Sequence, residues 1–132
     1  TLAGERNVVS GNTSTGIEIG NATLTEIRGN YIGTDVNGTA PLANGLGVSV
    51  LAGSTSNTIG GTDTADRNVI SGNSLDGIWI TGAGTSANTV LGNFIGVQID
   101  GTSPLGNRLA AEWRRRKEFQ DCQHVWLRRY PG

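Results

Sequence analysis

The chain contains nearly the same seven-residue sequence twice, and this repetition constrains its fold more than any other feature. RNVVSGN occupies residues 6–12 and RNVISGN occupies residues 67–73, an offset of 61 residues (67 − 6). GNYIGTDVNG at residues 29–38 and GNFIGVQIDG at residues 92–101 form a second pair, with an offset of 63 residues (92 − 29). Repeats of this kind are typical of solenoids, in which each unit buries its apolar face against its neighbours.

Shorter words divide the long repeat into turns. GIEI, GVSV and GIWI begin at Gly16, Gly47 and Gly77, and two other words, N-x-[VI]-[SG] and [IV]-x-G, recur between them. Their period-two alternation predicts short strands, three per turn, in an all-β parallel β-helix of a little over three turns. Four columns of aliphatic residues are predicted to fill the core: Ile27, Ile59 and Val90; Val9, Ile32, Ile70 and Ile95; Ile17, Val48 and Ile78; Ile19, Val50 and Ile80.

A polar column accompanies the aliphatic ones, at the corner before one set of strands. Its members are Asn7, Asn30, Asn68 and Asn93. Stacked side-chain amides can hydrogen-bond along the coil axis, and Asn also tolerates the left-handed conformation of a sharp corner. The composition agrees, because 21 Gly residues and many Asn, Thr and Ser residues favour tight turns over helices.

These words resemble right-handed parallel β-helix repeats of the pectate-lyase-like superfamily, and most closely the repeats of large secreted or surface bacterial proteins. The words that carry the resemblance are N-x-I-S-G-N, G-I-x-I and N-x-I-G-T-D-x-x-G-T, and they cover residues 1–107. The resemblance implies a secreted or cell-surface location for a fragment of a longer chain. It does not choose an activity, because the fold carries lyases, hydrolases, epimerases, adhesins and non-catalytic repeats.

The tail from residue 108 to 132 has a different composition. It holds seven of the ten Lys and Arg residues, together with the single His124 and Cys122. Three interpretations remain open: a helix that caps the coil, a basic amphipathic helix that binds a partner, or an out-of-frame, non-native end. The domain division is therefore residues 1–107 as β-helix repeats and residues 108–132 as an atypical tail.

Three aromatic residues are candidates for stacking on a sugar ring. Trp79 is predicted to point outward from GIWI, in one column with Glu18 and Ser49, while Tyr31 and Phe94 occupy equivalent places two turns apart. An exposed aromatic side chain on a flat sheet suits a sugar. The alternative for Tyr31 and Phe94 is that they pack against the long TDVNGTAPLAN-type insert.

The acidic residues give no catalytic assignment. Glycan-cleaving enzymes need two carboxylates at a defined separation, and no predicted column stacks an acid on an acid. Asp35, Asn37 and Asp100 are weak candidates for a Ca²⁺ loop, although D-x-N-G is also ordinary turn chemistry, and no other cofactor is predicted. Arg6 and Arg67 recur together, which predicts a structural ion pair with a neighbouring acid, whereas Arg28 has no evident partner.

The net charge and the hydropathy of the chain limit the classes of partner that it is expected to bind. A net charge of −1 argues against nucleic acid, and no apolar run approaches the ~20 residues of a membrane span. The expected function is a non-catalytic structural or adhesive segment, with a polysaccharide or cell-surface glycan and the neighbouring turns of the full-length chain as partners. A fragment of a polysaccharide lyase or glycoside hydrolase, with its catalytic turns elsewhere, is the alternative. The open strand edges of so few turns also predict self-association.

Overall fold

The structure, a computed structural model, describes residues 5–112, which form short strands and a single 3₁₀ helix (Thr64–Asp66). The strands are β1 (Val8–Val9), β2 (Thr15–Gly20), β3 (Glu26–Ile27), β4 (Tyr31–Ile32), β5 (Leu46–Leu51), β6 (Thr58–Gly60), β7 (Val69–Ile70), β8 (Asp76–Ile80), β9 (Thr89–Leu91), β10 (Phe94–Ile95) and β11 (Leu109–Glu112).

The strands build three parallel sheets. Sheet 1 has the order β1-β4-β7-β10, sheet 2 the order β2-β5-β8-β11, and sheet 3 the order β3-β6-β9. Every neighbouring pair is parallel and comes from successive turns of the chain. This is a parallel β-helix, and the predicted fold class is confirmed.

The interior of the coil is the predicted set of aliphatic columns. The register pairs Ile27 with Ile59 and Ile59 with Val90, and it aligns the other three columns in the same way. β-Branched side chains suit these positions because they pack well on a pleated surface. The core residues are buried except Val9 and Ile17, which are partly buried in the first turn.

The predicted Asn column is a hydrogen-bonded ladder at the corner before sheet 1. Asn7 Nδ2 donates to Asn30 Oδ1 at 3.0 Å, Asn30 Nδ2 to Asn68 Oδ1 at 3.3 Å, and Asn68 Nδ2 to Asn93 Oδ1 at 2.9 Å. The backbone N–H groups of Asn7, Asn30 and Asn68 donate to the same oxygens. One amide oxygen thus satisfies two donors from the preceding turn.

Two further ladders occupy the other corners. Before sheet 2, Asn12, Asn44, Asn73 and Asn107 are joined by Nδ2-to-Oδ1 bonds of 2.8, 3.1 and 2.9 Å. Before sheet 3, Asn57 Nδ2 donates to Asn88 Oδ1 at 2.9 Å. All three corners of the coil therefore use the same amide chemistry, and the sequence analysis identified only one of them.

Sheet 2 continues past the predicted boundary at Asn107, because β11 pairs in parallel with β8. The three interpretations of the tail concern residues 108–132, and residues 113–132, which include His124 and Cys122, lie outside the described residues.

Candidate functional site

Two inserts give the coil its two-turn period. The first insert (residues 34–41) and the second insert (residues 97–104) each leave sheet 1 and return through an antiparallel bridge, Thr34 to Pro41 and Val97 to Pro104. The residues between those bridges lie over the outer face of sheet 1. We call residues 6–66 the first module and residues 67–112 the second module, because each holds one RNVxSGN word and one insert.

The RNVxSGN word anchors the insert of the following turn. Ser10 Oγ donates to the Thr34 carbonyl at 2.7 Å, and the Gly11 N–H donates to the Leu42 carbonyl at 3.1 Å. In the second module, Ser71 Oγ donates to the Val97 carbonyl at 2.6 Å and the Gly72 N–H to the Leu105 carbonyl at 3.1 Å. The word is repeated because it holds both ends of an insert.

Tyr31 and Phe94 lie beneath these inserts. The Arg6 guanidinium lies 4.6 Å from the Tyr31 ring centroid and hydrogen-bonds the Tyr31 hydroxyl, and the Tyr31 side chain is buried. The Arg67 guanidinium lies 4.1 Å from the Phe94 ring centroid. An ideal Cβ built on Gly38 would lie 3.2 Å from the Tyr31 ring, and one built on Gly101 would lie 2.5 Å from the Phe94 ring. The packing alternative describes both rings, so Trp79 is left as the outward aromatic candidate.

The two arginines correct one expectation of the sequence analysis. Arg6 and Arg67 contact aromatic rings, and Arg67 Nε also donates to the Gly92 carbonyl at 3.0 Å. The predicted ion pair with a neighbouring acid is wrong for both residues within the described chain, because the next turn places a ring face over each guanidinium. Cation–π contacts of this kind stabilise by about 0.5–1 kcal/mol at exposed sites.

Arg28 has two acidic partners that are not evident from the sequence. It donates to Glu26 at 2.8 Å and to Asp66 at 2.9 Å. The hydrogen bond to Glu26 and the two negative charges raise the Arg28 pKa above its ordinary value. Asp66 ends the 3₁₀ helix just before β7, and β7 pairs with β4, the strand that follows Arg28. This pairing brings Asp66 next to Arg28, and sequence spacing does not reveal it.

Asp35 and Asp100 accept hydrogen bonds within their own inserts. Asp35 Oδ1 accepts from the N–H groups of Thr39 and Ala40, and these bonds hold the Asp35 pKa below its usual value. Hydrogen bonds from the Ser103 hydroxyl and from the Thr102 and Ser103 N–H groups lower the Asp100 pKa to about 2. These carboxylates close turns. Asn37 is exposed at the tip of the first insert.

Trp79 lies on the outer face of sheet 2, in the predicted column. The register pairs Glu18 with Ser49 and Ser49 with Trp79. Glu18 is exposed, Trp79 is half-buried and Ser49 is 1 % exposed. Among the described residues, Ser49 Oγ and Trp79 Nε1 are buried without a hydrogen-bond partner. Buried polar groups are normally satisfied, so these two adjacent positions have unused hydrogen-bonding capacity.

A metal-binding cluster and a membrane-spanning helix are both absent from residues 5–112, the part of the chain that the structure describes. That part of the chain contains no group of three or more His, Cys, Asp and Glu side chains placed to hold a metal ion. It also contains no helix of the length and apolar character that crossing a membrane requires.

Comparison of the chain with family models, with curated protein sequences and with solved structures gives no match. The resemblance to the pectate-lyase-like superfamily therefore stays a prediction. The class of protein that the structure defines is a parallel β-helix with Asn-lined corners and stacked inserts.

Proposed function

We propose that this chain is a non-catalytic structural or adhesive segment of a larger secreted or cell-surface bacterial protein. The observation that carries the proposal is that the polar side chains bond to the chain itself, between turns and to the inserts. The buried amides of three corners bond from turn to turn, and the serines and glycines that recur in the two RNVxSGN words hold the inserts. Such a coil can be lengthened turn by turn, which suits a spacer or stalk.

The state of the carboxylates supports a scaffold over a lyase or hydrolase. Asp35 and Asp100 accept hydrogen bonds from backbone N–H groups, and Glu26 and Asp66 pair with Arg28. A glycoside-cleaving site needs one carboxyl as an acid and a second as a base or nucleophile, about 5–9.5 Å apart. Asp35 and Asp100 stabilise turns, and Glu26 and Asp66 form ion pairs, so these four carboxylates have structural roles and not catalytic ones.

Glycan contact is the molecular interaction that we assign to this segment, at Trp79. The half-buried ring offers an apolar surface beside Ser49, and the exposed Glu18 carboxylate lies two strands away in the same column. Sugars combine apolar ring faces with hydroxyl groups, and an aromatic ring next to hydrogen-bonding groups matches that combination. Ser49 Oγ and Trp79 Nε1 are both buried, so the accessible part of the Trp79 ring makes the contact.

A glycan array tests this assignment with the full chain and two variants. Trp79→Ala should remove binding to any glycan that the wild type retains, because the stacking surface is lost. Trp79→Phe should keep part of that binding, because a smaller ring remains to stack on the sugar. If no glycan binds, or if Trp79→Ala binds as the wild type does, the glycan assignment is wrong. Cleavage of a polysaccharide by the chain would favour the enzyme alternative.

A further inference from the structure

The two inserts stack directly on each other, although a complete turn of the coil separates them in sequence. The Ile99 N–H donates to the Gly38 carbonyl at 3.0 Å. An ideal Cβ on Gly38 would lie 3.1 Å from Ile99 Cβ, so the contact is close. Each insert is therefore about two turns thick, and the pair forms a continuous layer beside sheet 1. We call this the insert layer.

The repeat shows what the two edges of the insert layer offer. Val36 is equivalent to Ile99, and Gly101 is equivalent to Gly38. Within residues 5–112, the Val36 N–H has no backbone acceptor and the Gly101 carbonyl has no backbone donor. The Val36 N–H on one edge of the layer and the Gly101 carbonyl on the opposite edge are thus free to form a bond equivalent to the one that joins the two inserts.

Burial at equivalent positions shows the effect of a module on the N-terminal side. Val8 in the first module is 41 % exposed, whereas its equivalent Val69, which follows the first module, is 0 % exposed. Val36 is 70 % exposed and its equivalent Ile99 is 40 % exposed. The contact between modules therefore buries apolar surface that the first module leaves open, and burial of apolar surface is the main driving force for association.

We propose that, in the isolated chain, the edge of the first module that carries Val8 and Val36 docks a second copy, head to tail. The Val36 N–H of one copy meets the Gly101 carbonyl of the next, as the Ile99 N–H meets the Gly38 carbonyl within one chain. The insert layer sets the register in steps of two turns, because an insert docks only on another insert. The contact is heterologous, so it adds copies in a line rather than closing a dimer.

Sedimentation equilibrium of the full chain over a wide concentration range tests the proposal. We expect the average mass to rise with concentration. Val36→Lys should weaken association by about tenfold or more, because a lysine on a strand or insert edge opposes docking. Leu75→Lys is the matched control. It makes the same change at a residue that is 43 % exposed but covered by a turn on each side, because its N–H donates to the Gly45 carbonyl and its carbonyl accepts from the Arg108 N–H, and it should associate as the wild type does.

Hydrogen exchange at the Val36 amide supplies a second readout. Its protection should increase with concentration in the wild type and not in Val36→Lys, while circular dichroism checks that both variants fold. The proposal is overturned if the wild type stays monomeric throughout, if Val36→Lys associates like the wild type, or if both lysine variants weaken association equally. None of these readouts depends on glycan binding, so the proposed function and this inference fail separately.

Discussion

The corner asparagine Asn68 forms hydrogen bonds to both of the neighbouring turns. Asn68 Nδ2 donates to Asn93 Oδ1 in the next turn and to the Ile27 carbonyl in the preceding turn, and Asn68 Oδ1 accepts from both nitrogens of Asn30. A corner interrupts the sheet ladder and leaves backbone groups without strand partners. The amide side chain supplies those partners inside the coil, where water does not reach.

Asn68→Ala should therefore be costly, although the residue lies at a corner and not in the apolar core. The substitution leaves the Asn30 N–H and the Ile27 carbonyl without their partner. Each buried unsatisfied group costs about 1–3 kcal/mol, so we expect the free energy of unfolding to fall by about 2–6 kcal/mol in denaturant titrations. Asn37→Ala, at an exposed insert tip, should change it by less than about 0.5 kcal/mol. Equal effects of the two substitutions would show that the ladder does not stabilise the corner.

Part of this residue-scale picture is visible in the sequence. The column before sheet 1 follows from its position in the repeated words. The other two columns repeat as well, at Asn12, Asn44, Asn73 and Asn107 and at Asn57 and Asn88, but Gly and Ser neighbours make them resemble ordinary turn residues. Bonds along the coil axis join residues 23–41 positions apart, and local sequence patterns do not reveal contacts over such separations.

At the scale of the element, the insert and the aromatic side chain beneath it act as one unit. The Phe94 ring is held between the Arg67 guanidinium and Gly101, whose φ is 74°. Tyr31, Arg6 and Gly38 repeat the arrangement. Glycine is needed at this position of the insert because a side chain would collide with the ring, and because L-residues disfavour positive φ.

Gly101→Ala tests the unit directly. An added Cβ would lie 2.5 Å from the Phe94 ring on a backbone of positive φ, so both sterics and strain oppose it. We expect a loss of about 2–5 kcal/mol in the free energy of unfolding, combining strain of about 1–2 kcal/mol with overpacking of about 1–3 kcal/mol. Gly106→Ala is the control, because nothing lies within 4 Å of its Cβ position. The packing of the insert is misassigned if Gly101→Ala costs no more than Gly106→Ala.

The sequence predicts the inserts but not their contacts. Tyr31 and Phe94 recur with the insert, so packing between them was a reasonable hypothesis. The partner of Arg67 was predicted wrongly because sequence places Asp66 next to it, whereas the turn above supplies the Phe94 ring and Asp66 reaches Arg28. An ion-pair prediction from neighbouring charges fails where the chain bends at a corner and directs adjacent side chains to different turns.

At the scale of the whole molecule, the coil is organised by one rule. Equivalent strands of successive turns pair in parallel, so residues separated by a full turn in sequence become neighbours at about 4.8 Å. The aliphatic columns were predictable because their period and β-branching appear in every turn. The outer face of sheet 2, with its unpartnered Ser49 and Trp79, was not predictable in detail, because burial of an outward residue depends on what lies above it.

Disulfide cross-linking across sheet 3 tests this rule most directly. The register pairs Thr58 with Thr89 and Glu26 with Thr58, and it places Glu26 two strands away from Thr89. In a Cys122→Ser background, Thr58→Cys with Thr89→Cys should oxidise to an intramolecular disulfide, since adjacent strands lie within the Cα separation of about 4.4–6.8 Å that a disulfide needs. Glu26→Cys with Thr58→Cys should do the same. Glu26→Cys with Thr89→Cys, about twice as far apart, should remain reduced. Peptide mass mapping that finds the first two cross-links and not the third supports the parallel coil and its register; equal yields for all three pairs, or a cross-link only between Glu26→Cys and Thr89→Cys, would contradict it.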